Sequence, residues 1–213
     1  MDSEGISFPI TESLPLYEPI SLVCVLSPMK APATRPLLIL DLDETLIHGS
    51  ESRLHRDADF MVGPYRIYKR PHLSDFLGRT SSHFDMAIWS SASWDYVEQI
   101  AEELSGLVPK WEFVWSRFRC VQRLHPELMQ MYFVKDLKKV KRRGYDLRRV
   151  LIVDDTRLKV SRNYGNAIYV APFEGSDQDS ELPQLARYIC SLRFESDFRS
   201  IEKRGWRTKT RVT

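Results

Sequence analysis

Two short apolar runs, each ending in paired acids, constrain this chain more than any other feature. Leu37-Leu38-Ile39-Leu40 leads straight into Asp41-Leu42-Asp43-Glu44-Thr45, and Val150-Leu151-Ile152-Val153 leads straight into Asp154-Asp155. Four apolar residues without alternation suit a strand covered on both faces, as in a parallel sheet. Phe84 to Trp89, ending in Ser90-Ser91, and Ala167 to Val170 read as two further strands. Helix-period stretches lie between them. Trp94, Val97, Ile100, Ala101 and Leu104 share one face, with Ser93 as N-cap and Gly106 as stop. Leu182, Leu185, Ile189 and Leu192 share another, after Asp179-Ser180. Arg70-Pro71-His72 reads as the opening of a helix that carries Leu73, Phe76 and Leu77, with Pro71 at its first position. Strands alternating with helices predict an α/β fold, three layers deep (α/β/α), around a central parallel sheet. Such sheets bind ligands beyond the carboxyl ends of their strands, where three of the four runs end in oxygen-bearing side chains.

With a side-chain period of two, Asp41 and Asp43 project to the same side of the strand end. Two carboxylates about 4 Å apart repel by roughly 4 kcal/mol at an effective dielectric near 20. Asp154 and Asp155, brought to the same edge, add to this. The cluster therefore calls for a cation, or for a proton shared among the acids. Oxygen ligands without nearby His or Cys favour a hard ion, with Mg²⁺ the first choice, and Mg²⁺ commonly works on phosphate. A phosphate ester is the expected substrate. An Asp-x-Asp alone also suits a helix-capping turn, but the second acidic pair and the Thr45 that follows favour a shared site.

Composition narrows the class. With 43% hydrophobic and 28% charged residues in 213, the body of the chain is globular and has room for one domain plus arms. Six of the twelve prolines (Pro9, Pro15, Pro19, Pro28, Pro32, Pro36) fall in the first 36 residues, so residues 1–35 are expected to form an extended, poorly ordered arm. Apolar runs such as Leu22 to Leu26 are too short to span a bilayer, and Asp2 and Glu4 stand where an export signal carries Lys or Arg. Cys24, Cys120 and Cys190 form neither a metal spacing nor a disulfide framework, which suits a reducing compartment. The expectation is a soluble intracellular protein, cytoplasmic or nuclear, without a membrane partner. A net charge of +2 does not advertise nucleic-acid binding. The charge is unevenly spread, however. Residues 135–162 hold eleven Lys or Arg against four Asp, a set that would steer anions if it surrounded the site.

Residues 40–48, Leu-Asp-Leu-Asp-Glu-Thr-Leu-Ile-His, resemble the phosphatase signature of the haloacid dehalogenase superfamily. Together with Tyr68 to Leu77, Ile88 to Ala92, Phe133 to Leu137 and Asp146 to Asp155, in that order, they resemble the FCP/SCP-like (NLI-interacting-factor-like) phosphatases. The resemblance spans 36–206, leaving 207–213 as a tail. It implies the Rossmann-like fold of that superfamily, with a small insertion. It further implies that Asp41 is the nucleophile forming an aspartyl phosphate and that Asp43 is the general acid and base. Ser90 and Lys135 would bind phosphate. Mg²⁺ would be held by Asp41, the backbone carbonyl of Asp43 and Asp155, with Thr45 and Asp154 in support. Asp154 would bond Lys135 or a metal-bound water. The implied activity is Mg²⁺-dependent hydrolysis of phosphoserine or phosphothreonine in a protein or peptide. A phosphatase of small esters or nucleic-acid ends, and a silent interaction domain, are the alternatives. Thr156 and Arg157 depart from the pattern of the small members, and the stretch from Cys120 to Lys135 is longer than theirs. Arg117, Arg119, Arg123 and His125 are candidate phosphopeptide contacts or plain surface. His48 and His55 read as flap or surface residues. Trp111, Phe113 and Trp115 read as one face of a half-buried strand, in preference to a groove shared with Phe118, Tyr132 and Phe133.

Overall fold

The computed structural model describes residues 35–125, 127 and 129–209. The expected arm, apart from Arg35, lies outside the described residues, as do Cys24 and the end of the tail from 210. The centre is a five-stranded parallel sheet in the order β10-β9-β1-β5-β6, built from β1 (Leu37–Leu40), β5 (Asp85–Trp89), β6 (Trp111–Trp115), β9 (Val150–Asp154) and β10 (Ala167–Tyr169). The four expected strands are all present within a residue or so of their ends. Side chains alternate between two apolar layers. Leu38, Leu40, Met86, Ile88, Leu151 and Val153 face α1 (Leu73–Ser81), α2 (Trp94–Glu103) and α4 (Glu181–Ser191). Leu37, Ile39, Ala87, Trp89, Val150 and Ile152 face Leu137, Val160 and Val140 of the short α3 (Lys138–Lys141). This is the expected three-layer arrangement. Each fully buried Leu or Ile contributes roughly 1.5–3 kcal/mol.

A three-stranded antiparallel sheet interrupts the first crossover: β2 (Ile47–Ser50), β3 (Phe60–Val62) and β4 (Tyr65–Lys69), in the order β2-β4-β3. It is the small insertion. A hairpin of β7 (Val121–Leu124) and β8 (Met131–Val134) follows β6.

Several local expectations need correction. Pro71 is not the first residue of α1. It precedes the N-cap, His72, whose left-handed backbone (φ 65°) turns the chain into the helix. Trp94 is 39% exposed and leaves the apolar face of α2 to Val97, Ile100, Ala101 and Leu104. Trp111, Phe113 and Trp115 do not share one face. Met86 pairs with Trp111 but Ile88 pairs with Val114, so a bulge in β6 puts Trp111 and Val114 against one apolar layer and Phe113 and Trp115 in the other. Phe113 and Trp115 are core, with ring centroids 4.2 Å apart, whereas Phe118 is 80% exposed. No helix among the described residues is long and apolar enough to cross a membrane. Arg207 to Lys209 belong to a short helix, α5 (Trp206–Lys209), and Arg207 bonds Glu181 of α4.

Candidate active site

Register decides what meets at the sheet edge. Leu40 pairs with Ile88 on one side and Val153 on the other, so Asp41, Ser90, Asp154 and Asp155 emerge together at the carboxyl edge of three adjacent strands. Beyond Asp41 the chain turns sharply: the Leu42 carbonyl accepts from the amides of Thr45 and Leu46, and Glu44 sits in the left-handed region at φ 60°. The buried Arg70 fastens this turn. Its guanidinium donates to the carbonyls of Thr45 (3.0 Å) and Ala171 (2.9 Å) and forks onto Asp179 at 2.9 and 2.8 Å. The sequence suggested only a helix opener there.

Asp41 is 1% exposed and lies between two lysines. Lys135 Nζ is 2.6 Å from Asp41 Oδ1 and 2.6 Å from Asp154 Oδ2. Burial pulls the Lys135 pKa down, but Asp154 and then Asp41 outweigh it, so the ammonium is held above its ordinary range. The expected bond between Asp154 and Lys135 is present. Lys159 Nζ lies 3.4 Å from Asp41 Oδ2 and 3.4 Å from Asp155 Oδ1. The sequence reading missed Lys159, which there was one basic residue among eleven. Asp155 also accepts from the Thr156 hydroxyl at 2.7 Å, and Arg157 stacks on Tyr169 with 4.5 Å to the ring centroid.

The Asp43 carboxylate has hydrogen-bond partners of its own. Tyr96 Oη of α2 donates to its Oδ1 at 2.7 Å, and Ser90 Oγ lies 3.4 Å from its Oδ2. Burial, and then the Asp41 charge, raise the Asp43 pKa above the usual carboxylate range, against the Tyr96 hydrogen bond. Tyr96 is the second residue that sequence reasoning missed. Gly49 of β2 lies against it: a Cβ at Gly49 would stand 2.6 Å from Tyr96 Oη. Ser90 is fully buried, and its hydroxyl accepts from the Ala92 amide at 3.0 Å. It thus braces the turn before α2, whose N-cap position belongs to Ser93. Thr45 is buried, and its hydroxyl finds no partner among the described residues.

Asp41, Asp154 and Asp155 each offer a carboxylate oxygen within 4.8 Å of the others. Only oxygen donors are present, so the group suits a hard divalent cation. With Asp43 keeping its proton, the charges of Asp41, Asp154 and Asp155 exceed those of Lys135 and Lys159, so the group retains net negative charge for a cation to offset. The other candidates lie further out. Arg117, Arg119 and Arg123 are exposed, Arg117 stacking on Phe133 (5.6 Å to the ring centroid) and Arg119 on Trp115 (5.4 Å). The Arg117 amide donates to the Ala92 carbonyl at 3.0 Å, which docks the base of the hairpin beside Ser90. His48 pairs with Glu44 at 2.9 Å, and the exposed His55 pairs with Asp177 at 3.1 Å.

The sequence model of the NLI interacting factor-like phosphatases matches residues 36–199. Among curated proteins, the human carboxy-terminal domain RNA polymerase II polypeptide A small phosphatase 1 is 30% identical over 175 residues, covering 77% of this chain and 62% of its own. The mitochondrial import inner membrane translocase subunit TIM50 of Phytophthora infestans is 32% identical over 173 residues, covering 79% of this chain and 37% of its own. This chain thus spans less than two thirds of either relative. The solved structure of Fcp1, an essential RNA polymerase II CTD phosphatase, superposes with a TM-score of 0.57 at 17% identity, over 75% of this chain and 62% of that one.

Proposed function

The chain belongs to the NLI interacting factor-like phosphatases, a branch of the haloacid dehalogenase superfamily, and on that footing we propose that it is a Mg²⁺-dependent phosphatase that hydrolyses phosphoserine or phosphothreonine in a protein through an aspartyl-phosphate intermediate. The observation that carries the reading is the setting of Asp41: a buried carboxylate at the end of the central strand, against Lys135, with the Asp43 carboxylate held nearby by a phenol and a hydroxyl.

In this reading an Asp41 oxygen attacks phosphorus in line as the bond from phosphorus to the serine oxygen breaks. The proton on Asp43 passes to that leaving oxygen, since an alkoxide leaves poorly without one. Water then attacks the phosphorus of the aspartyl phosphate, Asp43 takes its proton, and Asp41 is released with inorganic phosphate. The Ser90 hydroxyl and the Lys135 ammonium hold phosphate oxygens through both halves, with Thr45 in a supporting role. Asp41, the Asp43 carbonyl and Asp155 would hold Mg²⁺, beside Asp154, and the ion would supply positive charge against the phosphate. A phosphorylated protein is the partner in this reading.

Hydrolysis of an aryl phosphate, with Mg²⁺ and then with chelator, tests the core of this reading. Asp41→Asn is expected to abolish turnover, and chelation to suppress it. Turnover that survives Asp41→Asn would refute the nucleophile. A kcat/KM about tenfold higher on nucleotides than on phosphopeptides would redirect the reading to small esters. The similarity to a translocase subunit favours one other reading, a domain that binds without catalysis. Absence of turnover on every substrate class, in a folded protein, would select it.

A further inference from the structure

Lys159 stands in the part of the site where a divalent cation is expected. Its backbone is fixed on two sides: the Lys159 carbonyl accepts from the Lys135 amide at 2.7 Å, and its amide donates to the Thr156 carbonyl at 3.1 Å. The next residue, Val160, is fully buried. The stem is therefore aimed by the fold. The side chain is not enclosed, since 23% of it remains exposed.

The oxygens are shared out unequally between the two lysines. Lys135 takes Asp41 Oδ1 and Asp154 Oδ2 at 2.6 Å each. Thr156 takes Asp154 Oδ1 through its amide (2.9 Å) and Asp155 Oδ2 through its hydroxyl (2.7 Å), which leaves Asp41 Oδ2 and Asp155 Oδ1, and Lys159 Nζ sits 3.4 Å from each. Asp41 and Asp155 are also two of the three members of the oxygen cluster that suits a hard cation. Contacts of 3.4 Å are longer than the roughly 2.7–2.9 Å of a strong charge-assisted hydrogen bond. The head thus balances charge without being clamped. An ammonium and a divalent ion cannot share that space, because they would repel at short range in a poorly screened pocket.

We infer that Lys159 is a tethered stand-in for the divalent cation: its ammonium neutralises Asp41 and Asp155 when the ion is absent and must be evicted for the ion to bind. The inference rests on the reading of this cluster as a divalent-cation site. It means that the folded protein tolerates loss of its metal, and that its metal affinity is set below what the carboxylates alone would give.

Calorimetric titration of the full chain with Mg²⁺ alone tests this, with Lys159→Met and the polar Lys159→Gln in parallel and thermal melts of all three proteins in chelator. Both neutral variants are expected to bind Mg²⁺ about tenfold or more tightly than the wild type. In chelator both should melt below the wild type, with the deficit closing as Mg²⁺ is added. Equal or weaker Mg²⁺ binding by the variants would overturn the inference and leave the metal reading standing. No Mg²⁺ binding by any of the three proteins would overturn both.

Discussion

Asp43 is bonded to a residue 53 positions away, and that contact bears on its chemistry. An acid catalyst needs its proton at the moment of bond cleavage. Burial and the neighbouring Asp41 charge raise the Asp43 pKa, so the proton persists to higher pH than on an exposed aspartate and is lost as pH rises through that value. The rate on alkyl phosphates should therefore fall on the alkaline side, with its midpoint above the ordinary carboxylate range. Asp43→Asn should remove that limb and cost alkyl substrates at least about tenfold more than aryl ones, which need less protonation. Equal losses on both substrate classes would count against the acid role. Asp41, Ser90, Lys135, Asp154 and Asp155 were legible in the sequence because four of them end apolar runs and Lys135 falls in a recognisable block. Tyr96 and Lys159 were not. Tyr96 lies on a helix among residues that only show the apolar period, and Lys159 lies in an irregular turn within a basic stretch.

Elements differ in how plainly they were written. The buried parallel strands are continuous apolar runs and could be read almost to the residue. The strands of the insertion are three to five residues of mixed character and were expected only as an insertion. The bulge in β6 has no sequence signal at all, since alternation at Trp111, Phe113 and Trp115 is what a regular strand would show. Between elements the main unread device is Arg70. From the end of β4 it joins the turn after β1 to the loop before α4, through Thr45, Ala171 and Asp179, and it lies over the Phe173 ring at 5.4 Å. Removing one partner of a buried pair leaves the other uncompensated. Arg70→Met is therefore expected to destabilise the fold by about 3 kcal/mol, measurable by chemical denaturation. A change below about 0.5 kcal/mol would mean that the three connections are held by other contacts.

Across the whole molecule the charges are distributed differently from what their order along the chain suggests. Of the basic residues in 135–162, Lys135 and Lys159 reach the acidic site, but Arg149 precedes β9, and Arg143 and Arg149 gather with Arg35 around Leu37 and Asp85 at the opposite, amino-terminal edge of the sheet. Part of that basic run therefore lies away from the pocket, while Arg157 stacks on Tyr169, whose strand partner is Asp154. A linear sum of charge cannot show which end of a strand each residue occupies. The insertion meets the site at several points: His48 of β2 pairs with Glu44, Tyr65 of β4 packs edge-on against Tyr96 at 5.7 Å, and Gly49 lies against the Tyr96 hydroxyl. This last contact makes position 49 a place where genotype and phenotype part company. The atom in the way is the tip of a side chain, so Gly49→Ala should swing the phenol off Asp43 and leave the packing of the fold intact. A survey of variants that scores abundance and turnover separately should find such alleles as well expressed as the parent, with melting temperatures unchanged and turnover reduced severalfold. If abundance falls in step with turnover, position 49 serves the fold alone.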